Sequence, residues 1–252
     1  MIKKILFLLG SLIGFNTIRE RLEEKNKILK YNNELLSAKI EITKKINSEE
    51  FYWNNKWSKT IVKYVARGYP QDVRNLLWNK SFIIEGVVKS LVNNKGDLEK
   101  VKSLLQWVTN NITYFSDMTL KGVGEYWQDP EETYYSKKAD CEDGALLLRC
   151  MCRIAGIPDY KIKLVTGNIK NLSGSGIIGH AYLLYLHEGE WYTVDWTYLP
   201  NDSLKYLGLL KHSDRVEYLD IWWTCNEQYM FSTEKSIIIG DVINNGKKKN
   251  NG

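Results

Sequence analysis

The chain has 252 residues, which is enough for one large domain or for one domain with an appendage. Its hydrophobic content of 44% and its nine tryptophans support a substantial buried core. The net charge of +5 is modest and comes partly from the lysines of the tail. A nucleic-acid-binding protein would present a basic face interleaved with aromatic residues, and the lysines here are scattered instead, so we expect no nucleic-acid partner.

The N-terminus combines a short basic region, Lys3 and Lys4, with a mostly apolar run over residues 5–15. This order resembles a signal peptide, but no clear small-residue cleavage site follows it. The run is shorter than an ordinary membrane-spanning helix. A secretion signal, a membrane-surface contact through residues 5–15 and a segment that packs on a partner therefore all stay open.

From Arg19 to about Asn47 the chain is charged and has a helical pattern, with two adjacent apolar stripes at seven-residue spacing. Such a helix must bury one face. We favour packing on its own domain over a short coiled coil, although an oligomer through this N-terminal helix is the alternative. We define residues 1–47 as an N-terminal apolar segment with a long helix.

The remaining chain is divided into three parts. Residues 48–96 are rich in irregularly spaced aromatic residues and predict a helical subdomain whose rings serve packing. Residues 97–240 predict a catalytic core, with a helix capped by Asp97 and a short helix that starts at Pro130. Residues 241–252 predict a disordered basic tail.

The core continues with strands and a loop. Strands are predicted at Lys161–Gly167, His180–Leu186 and Trp191–Asp195. The glycine-rich stretch 171–179 lacks the lysine and the following helix of a phosphate loop, so we interpret it as a mobile flap before His180.

The four cysteines do not form a disulfide framework, and a reduced, intracellular setting is the simplest interpretation. Cys141 opens a helix that carries an apolar stripe and ends at Gly156 and Pro158. It therefore lies in the first helical turn, where the helix dipole favours a negative sulfur.

His180 and Asp195 flank a predicted hairpin. A turn at His187 and Glu188 would place His180 directly opposite Asp195 with both side chains on one face. A one-residue slip would put them on opposite faces. Taken singly, a buried thiol, a hydrogen-bonded strand histidine and a strand-ending aspartate are structural. Their joint order predicts a thiol acyl-transfer site, because a thiolate needs a base and the base needs an orienting group.

These residues resemble the transglutaminase-like superfamily of papain-like fold, and most of all its bacterial transglutaminase-like cysteine proteinases. The resemblance covers roughly residues 97–200 and is carried by the segments Glu125–Glu132, Asp140–Ala145, His180–Ala181 and Asp195–Trp196. Ala139 stands where the family has glycine. The resemblance implies Cys141 as nucleophile, His180 as general base and acid, and Asp195 as the orienting carboxylate. A weaker resemblance, through Ile221–Thr224, is to proteins of tailed bacteriophages.

Asp140, Glu142 and Asp143 surround the proposed nucleophile, although negative neighbours oppose thiolate formation. They either stabilise the helix N-terminus or bind calcium. The resemblance implies Asp140 and Glu142 as the calcium ligands. For the oxyanion, Trp127 and Gln128 are both candidate donors, and the chemistry itself requires no cofactor.

We therefore expect an α+β fold, with a nucleophile helix packed on an antiparallel sheet and an N-terminal helical extension. The expected function is a cysteine hydrolase, a peptidase or amidase that acts on a protein or peptide substrate at a peptide or isopeptide bond. One alternative is a catalytically inactive transglutaminase-like module for structure or assembly in a phage particle, and another is a protein-glutamine acyl transferase. The expected location is cytoplasmic or phage-associated, with a signal peptide or a membrane-surface anchor as the open alternatives.

Overall fold

The computed structural model divides the chain into two compact units, residues 1–46 and residues 47–252. The described residues are 2–46, 58–66, 69–171, 174–198, 209–232 and 236–239. The predicted tail at 241–252 and the aromatic residues at 51–57 lie outside these ranges.

The first unit contains one helix, α1, from Ile2 to Ile46. It begins earlier than the charged pattern predicted, because no proline separates the apolar run 5–15 from the charged stretch. Every residue from 17 to 41 is exposed, so the expected burial of one helix face is not seen in this segment. Among the residues with described structure, none of the helices is both long and apolar enough to cross a membrane.

The second unit is built around an antiparallel sheet. Its strands are Ser58–Lys59 (β1), Ile162–Lys170 (β6), Ile177–His187 (β7), Glu190–Val194 (β8), Tyr218–Cys225 (β9) and Met230–Ser232 (β10). They lie in the order β1-β10-β9-β6-β7-β8. Most of β6 and β7 is buried on both faces, because Leu164 and Leu183 belong to one core cluster and Val165 and Leu184 belong to another.

Helices cover this sheet, and the helix that begins at Cys141 is the most buried of the described ones. It packs against β6 and β7 and against the helices that begin at Phe82, Asp97 and Pro130, so residues on all of its faces are covered. The helices are Phe82–Val92 (α2), Asp97–Asn111 (α3), Asp117–Lys121 (α4), Pro130–Ser136 (α5) and Cys141–Ile154 (α6). The α+β class and the packing of the nucleophile helix on an antiparallel sheet are thus confirmed.

The helix boundaries follow local signals with one small error. α6 ends two residues before Gly156, whose φ of +86° suits glycine, and α5 starts at Pro130 as predicted. α3 starts at Asp97, but its N-cap is Gly96, so the predicted cap is one residue late. Ile84 and Val101, on either side of the proposed boundary at residue 96, belong to one core cluster.

Two smaller sheets complete the unit. Tyr69–Asp72 (β3) pairs antiparallel with Ile61–Ala66 (β2), which pairs parallel with Ser236–Ile239 (β11). Thr113–Tyr114 (β4) and Lys138–Ala139 (β5) form a short parallel pair just before Cys141.

The β7–β8 hairpin has a different register from the predicted one. The turn lies at Glu188 and Gly189, which both have positive φ, because a two-residue turn of this kind needs φ above zero at both central positions. Leu183 consequently pairs with Val194, and the register is shifted by two residues. A shift of two keeps every side chain on its face, whereas a shift of one would have reversed them.

Candidate active site

Cys141 is the first residue of α6, and the residue as a whole is partly exposed, whereas the other three cysteines are buried. Burial raises the pKa of the Cys150 and Cys152 thiols to about 12. Burial and the neighbouring carboxylates Glu142 and Asp140 also raise the pKa of Cys141, while the backbone N–H of Ala181 opposes this shift. The contact with Ala181 places the sulfur beside β7, at the residue that follows His180 in the chain.

His180 is buried in β7, and its Nε2 lies 2.6 Å from Oδ2 of Asp195. Asp195 follows the last residue of β8, so this contact is diagonal and not directly across the hairpin. The predicted contact is therefore present even though the predicted register is wrong. With Nε2 bound to a carboxylate, Nδ1 is the ring nitrogen that can serve a thiol.

Asp195 is almost fully buried as an anion. Burial alone would raise its pKa, but the adjacent His180 and the hydrogen bonds from His180, Tyr218 and the Thr197 N–H hold the pKa below its ordinary value. Tyr218 did not emerge from the sequence, because it lies on β9, outside the hairpin.

Trp196 joins this hairpin to the nucleophile helix. Its indole Nε1 donates to the carbonyl oxygen of Cys141 at 3.0 Å. A Cβ at Gly144 would lie 2.2 Å from the indole ring, so only glycine at this position lets the ring lie against α6. In the sequence, Gly144 and Trp196 belong to the segments that carry the resemblance, but no local pattern predicts that they pack together.

Cys141 and His180 line one cleft of about 640 Å³. Apolar side chains form much of its wall, with carboxylates near the thiol. The lining residues are Glu125, Trp127, Cys141, Glu142, Thr166, Gly179, His180, Ala181, Trp222, Trp223, Ile237, Ile238 and Ile239. Binding sites for small molecules and peptides are typically apolar clefts with a few polar groups that act on the bound molecule. The cleft that Cys141 lines has this composition.

The flap predicted at residues 171–179 is wrong in its second half. Ile177 and Gly179, in the second half of the glycine-rich stretch, belong to β7 and pair with β6. A Cβ at Gly179 would lie 2.7 Å from the ring of Trp222, so this glycine allows the indole to lie against the strand beside the cleft. Residues 172–173 lie outside the described ranges.

The predicted oxyanion donors are not aimed at the thiol. Gln128 directs its amide to Asp143 at 2.6 Å and to the Lys138 carbonyl at 3.2 Å, so its predicted role is wrong. Trp127 lines the cleft, but its indole N–H donates to Glu125 at 2.7 Å. The backbone N–H of Cys141 belongs to the first helical turn, where such groups have no intrahelical acceptor.

Three carboxylates form a cluster beside the nucleophile: Asp117, Asp140 and Glu142. One oxygen of each lies within 4.8 Å of the others. Buried oxygens of the same three residues, Oδ1, Oδ1 and Oε1, have no hydrogen-bond partner within the described part of the chain. Burial, and then repulsion from Asp143, raises the pKa of Asp140 to about 9, and burial and Asp140 raise the pKa of Glu142.

This oxygen set fits a calcium ion, which takes carboxylate oxygens in flexible geometry and would satisfy the orphaned atoms. Asp140 and Glu142 were predicted from the resemblance, and Asp117 was missed. Parallel strands β4 and β5 pair Tyr114 with Ala139, so the residues that follow each strand, Asp117 and Asp140, come together. The sequence around Asp117 carries no motif that indicates this role.

Comparison with known proteins gives three findings. Residues 85–196 match the family model of the transglutaminase-like superfamily core. Kyphoscoliosis peptidase of Mus musculus is 29% identical over 124 residues, which are 47% of this chain and 18% of that protein. The chain thus spans less than a fifth of the length of this curated relative.

Solved structures of LapG from Legionella pneumophila are also similar. The EGTA-treated form has a TM-score of 0.47 and 16% identity, over 64% of this chain and 84% of that one. The calcium-bound form has a TM-score of 0.40 and 20% identity, over 60% and 86% of the two chains. The family match over residues 85–196 confirms the resemblance inferred from the motifs; the phage resemblance stays a prediction.

Proposed function

We propose that the protein is a cysteine peptidase-type hydrolase that cleaves a peptide or isopeptide bond in a protein substrate, and the match of residues 85–196 to the transglutaminase-like superfamily core supports this proposal. The proposed nucleophile is Cys141, the general base is His180 and the orienting carboxylate is Asp195. The observation that carries this proposal is the buried 2.6 Å contact of His180 with Asp195 on the wall of the cleft that Cys141 also lines.

The proposed reaction proceeds through an acyl-enzyme. The Cys141 thiol transfers its proton to Nδ1 of His180, and the sulfur attacks the substrate carbonyl carbon. The imidazolium then protonates the leaving amine as the C–N bond breaks, which leaves a thioester. Water, deprotonated by His180, releases the carboxylic acid and regenerates the thiol. The backbone N–H of Cys141 is the natural donor to the oxyanion.

The carboxylates around the nucleophile suggest that this site works with calcium. Without a cation, Glu142 Oε2 accepts the thiol proton of Cys141 at 3.1 Å, and the negative charges raise the cost of forming a thiolate. Neutralisation of Asp117, Asp140 and Glu142 by a bound calcium ion would lower that cost.

Cysteine chemistry is tested by replacing the nucleophile. The wild-type chain, in calcium chloride, is expected to cleave peptides of an internally quenched library or denatured casein, and Cys141→Ala is expected to lose this cleavage by at least about a thousandfold. Cys150→Ala, which changes a buried cysteine of the same helix, serves as the control and should stay active. Cleavage by Cys141→Ala at the wild-type rate, or none by the wild type, would contradict the proposal and favour a structural module.

Calcium binding is tested by thermal unfolding. At a thousandfold excess over its Kd, calcium should raise the melting temperature by roughly 10 °C over the chelated protein, because a ligand of the folded state stabilises it by mass action. Magnesium should act poorly, since it demands tighter octahedral geometry.

The melting temperature of the chelated protein should also depend on pH. The raised pKa of Asp140, about 9, means that its bound proton favours the chelated folded state below about pH 4 and that this contribution is lost as the pH rises toward 9.

Two matched double variants distinguish calcium binding from a purely electrostatic effect of acidic residues at a helix N-terminus. Asp140→Asn/Glu142→Gln should abolish the calcium response. Asp97→Asn/Glu99→Gln removes two first-turn acids of α3 and should leave the response intact. A melting temperature that does not change between chelator and calcium would return the cluster to a purely structural role.

A further inference from the structure

The carboxylate of Asp195 accepts hydrogen bonds from four groups. Oδ1 accepts from the backbone N–H groups of Thr197, at 2.8 Å, and Tyr198, at 3.2 Å. Oδ2 accepts from Nε2 of His180 and from the hydroxyl of Tyr218, both at 2.6 Å. Tyr218 and His180 therefore donate to the same oxygen, Oδ2 of Asp195, and lie at the same distance from it.

The direction of the Tyr218 proton follows from its other neighbour. Arg215 lies with its guanidinium 4.7 Å from the Tyr218 ring, and its NH2 group donates to the phenol oxygen at 3.4 Å. Because a guanidinium can only donate, the phenol oxygen accepts on that side and its own proton points to Asp195. Burial and the negative charge of Asp195 raise the pKa of Tyr218, so the hydroxyl stays a donor throughout the working pH range.

We propose that Tyr218 is a positioning residue of this site: its hydroxyl holds Oδ2 of Asp195 in the place from which the carboxylate orients the ring of His180. Tyr218 does not line the cleft, so it acts through Asp195 and not on substrate. The inference rests on the proposed function in one respect: the role of His180 as the base that the carboxylate orients. The hydrogen bonds of Tyr218 and Asp195 do not depend on an activity.

The substitution Tyr218→Phe removes one hydrogen-bond donor from the carboxylate of Asp195. In Tyr218→Phe the ring keeps its contacts, but Oδ2 is held by His180 alone. Two backbone donors on Oδ1 still fix one end of the carboxylate, but the other end is then held only by the ring that it orients. His180 then loses a fixed acceptor, and its ring can leave the orientation that serves Cys141.

A matched control lies in the same aromatic cluster. Tyr182 is buried, stacks on His180 at 6.1 Å between ring centroids and meets Tyr218 edge-on at 4.6 Å. Its hydroxyl is buried without a hydrogen-bond partner in the described part of the chain. Tyr182→Phe therefore removes one buried phenol oxygen beside the same rings without touching Asp195, and we expect no loss of stability from it.

Two measurements on the full chain in calcium chloride test the proposal. Iodoacetamide should alkylate Cys141 about tenfold more slowly in Tyr218→Phe than in the wild type. This factor corresponds to the loss of about one hydrogen bond to a charged group. In Tyr182→Phe the alkylation rate should stay within twofold of the wild-type rate. In proton NMR, the low-field resonance of the His180 Nε2–H should be unchanged in Tyr182→Phe and displaced or broadened in Tyr218→Phe.

A double variant asks whether Tyr218 acts through the carboxylate. Asp195→Asn combined with Tyr218→Phe should alkylate no more slowly than Asp195→Asn alone, since interacting residues do not contribute additively. Equal behaviour of Tyr218→Phe and Tyr182→Phe in both measurements would overturn the proposal. Neither measurement needs a substrate, so a wild type without peptidase activity would defeat the proposed function and leave this inference standing if the resonance still moves.

Discussion

Asp195→Asn should lower the rate of peptide cleavage by roughly 10³–10⁴-fold while leaving the fold intact, as expected when a triad loses its orienting carboxylate. The asparagine carbonyl can still accept from the Thr197 and Tyr198 N–H groups that now bind Oδ1. Its amide NH₂ then takes the place of Oδ2 and donates to Nε2 of His180. The imidazole must carry its proton on Nδ1, where it can no longer accept a proton from the thiol of Cys141.

The measurement is the single-turnover rate on the best peptide substrate of the wild type, with circular dichroism to check the fold. Asp220→Asn provides the control, because Asp220 accepts hydrogen bonds from Asn168 on the exposed part of neighbouring strands. A rate for Asp195→Asn within tenfold of that control would show that the contact between His180 and Asp195 is structural only.

Gly144→Ala should destabilise the protein by about 2 kcal/mol and also slow the reaction. The new Cβ would lie 2.2 Å from Cε2 and 2.3 Å from Nε1 of Trp196, distances at which the buried ring must move. That movement would break the hydrogen bond from the indole to the Cys141 carbonyl and would pull on Asp195, the preceding residue. Alanine gains about 1 kcal/mol in helix propensity, which offsets only part of the cost.

Urea unfolding of both glycine variants measures this effect. Gly86, inside α2, has no atom within 4 Å of the position of a Cβ, so Gly86→Ala should stabilise the protein by about 0.5–1 kcal/mol. Opposite signs for the two substitutions would show that the ring contact, and not helix propensity, decides the outcome. If Gly144→Ala were as stable as Gly86→Ala, the close packing of Trp196 on α6 would be disproved.

Local sequence patterns were sufficient to predict features that depend on a single helix or hairpin. The stop signal at Gly156 and the start at Pro130 bound their helices, because both residues restrict the backbone directly. The contact of His180 with Asp195 was also predictable, since residues on one face of a hairpin stay there in any even register. The register itself was not, because it depended on which residues accept positive φ, and Glu188 does so beside Gly189.

The order of Cys141, His180 and Asp195, the α+β class and the resemblance of the core to the transglutaminase-like superfamily were thus predicted from the sequence alone. The tertiary structure decided what surrounds those residues. Asp117 reaches the acidic cluster through the pairing of β4 with β5, and Tyr218 reaches Asp195 because β9 lies beside β6. The ring of Trp196, two residues after the end of β8, lies against α6 at Gly144. Such contacts join residues that are distant in the chain, and the free energy that selects them comes from the burial of the whole core, which no local pattern encodes.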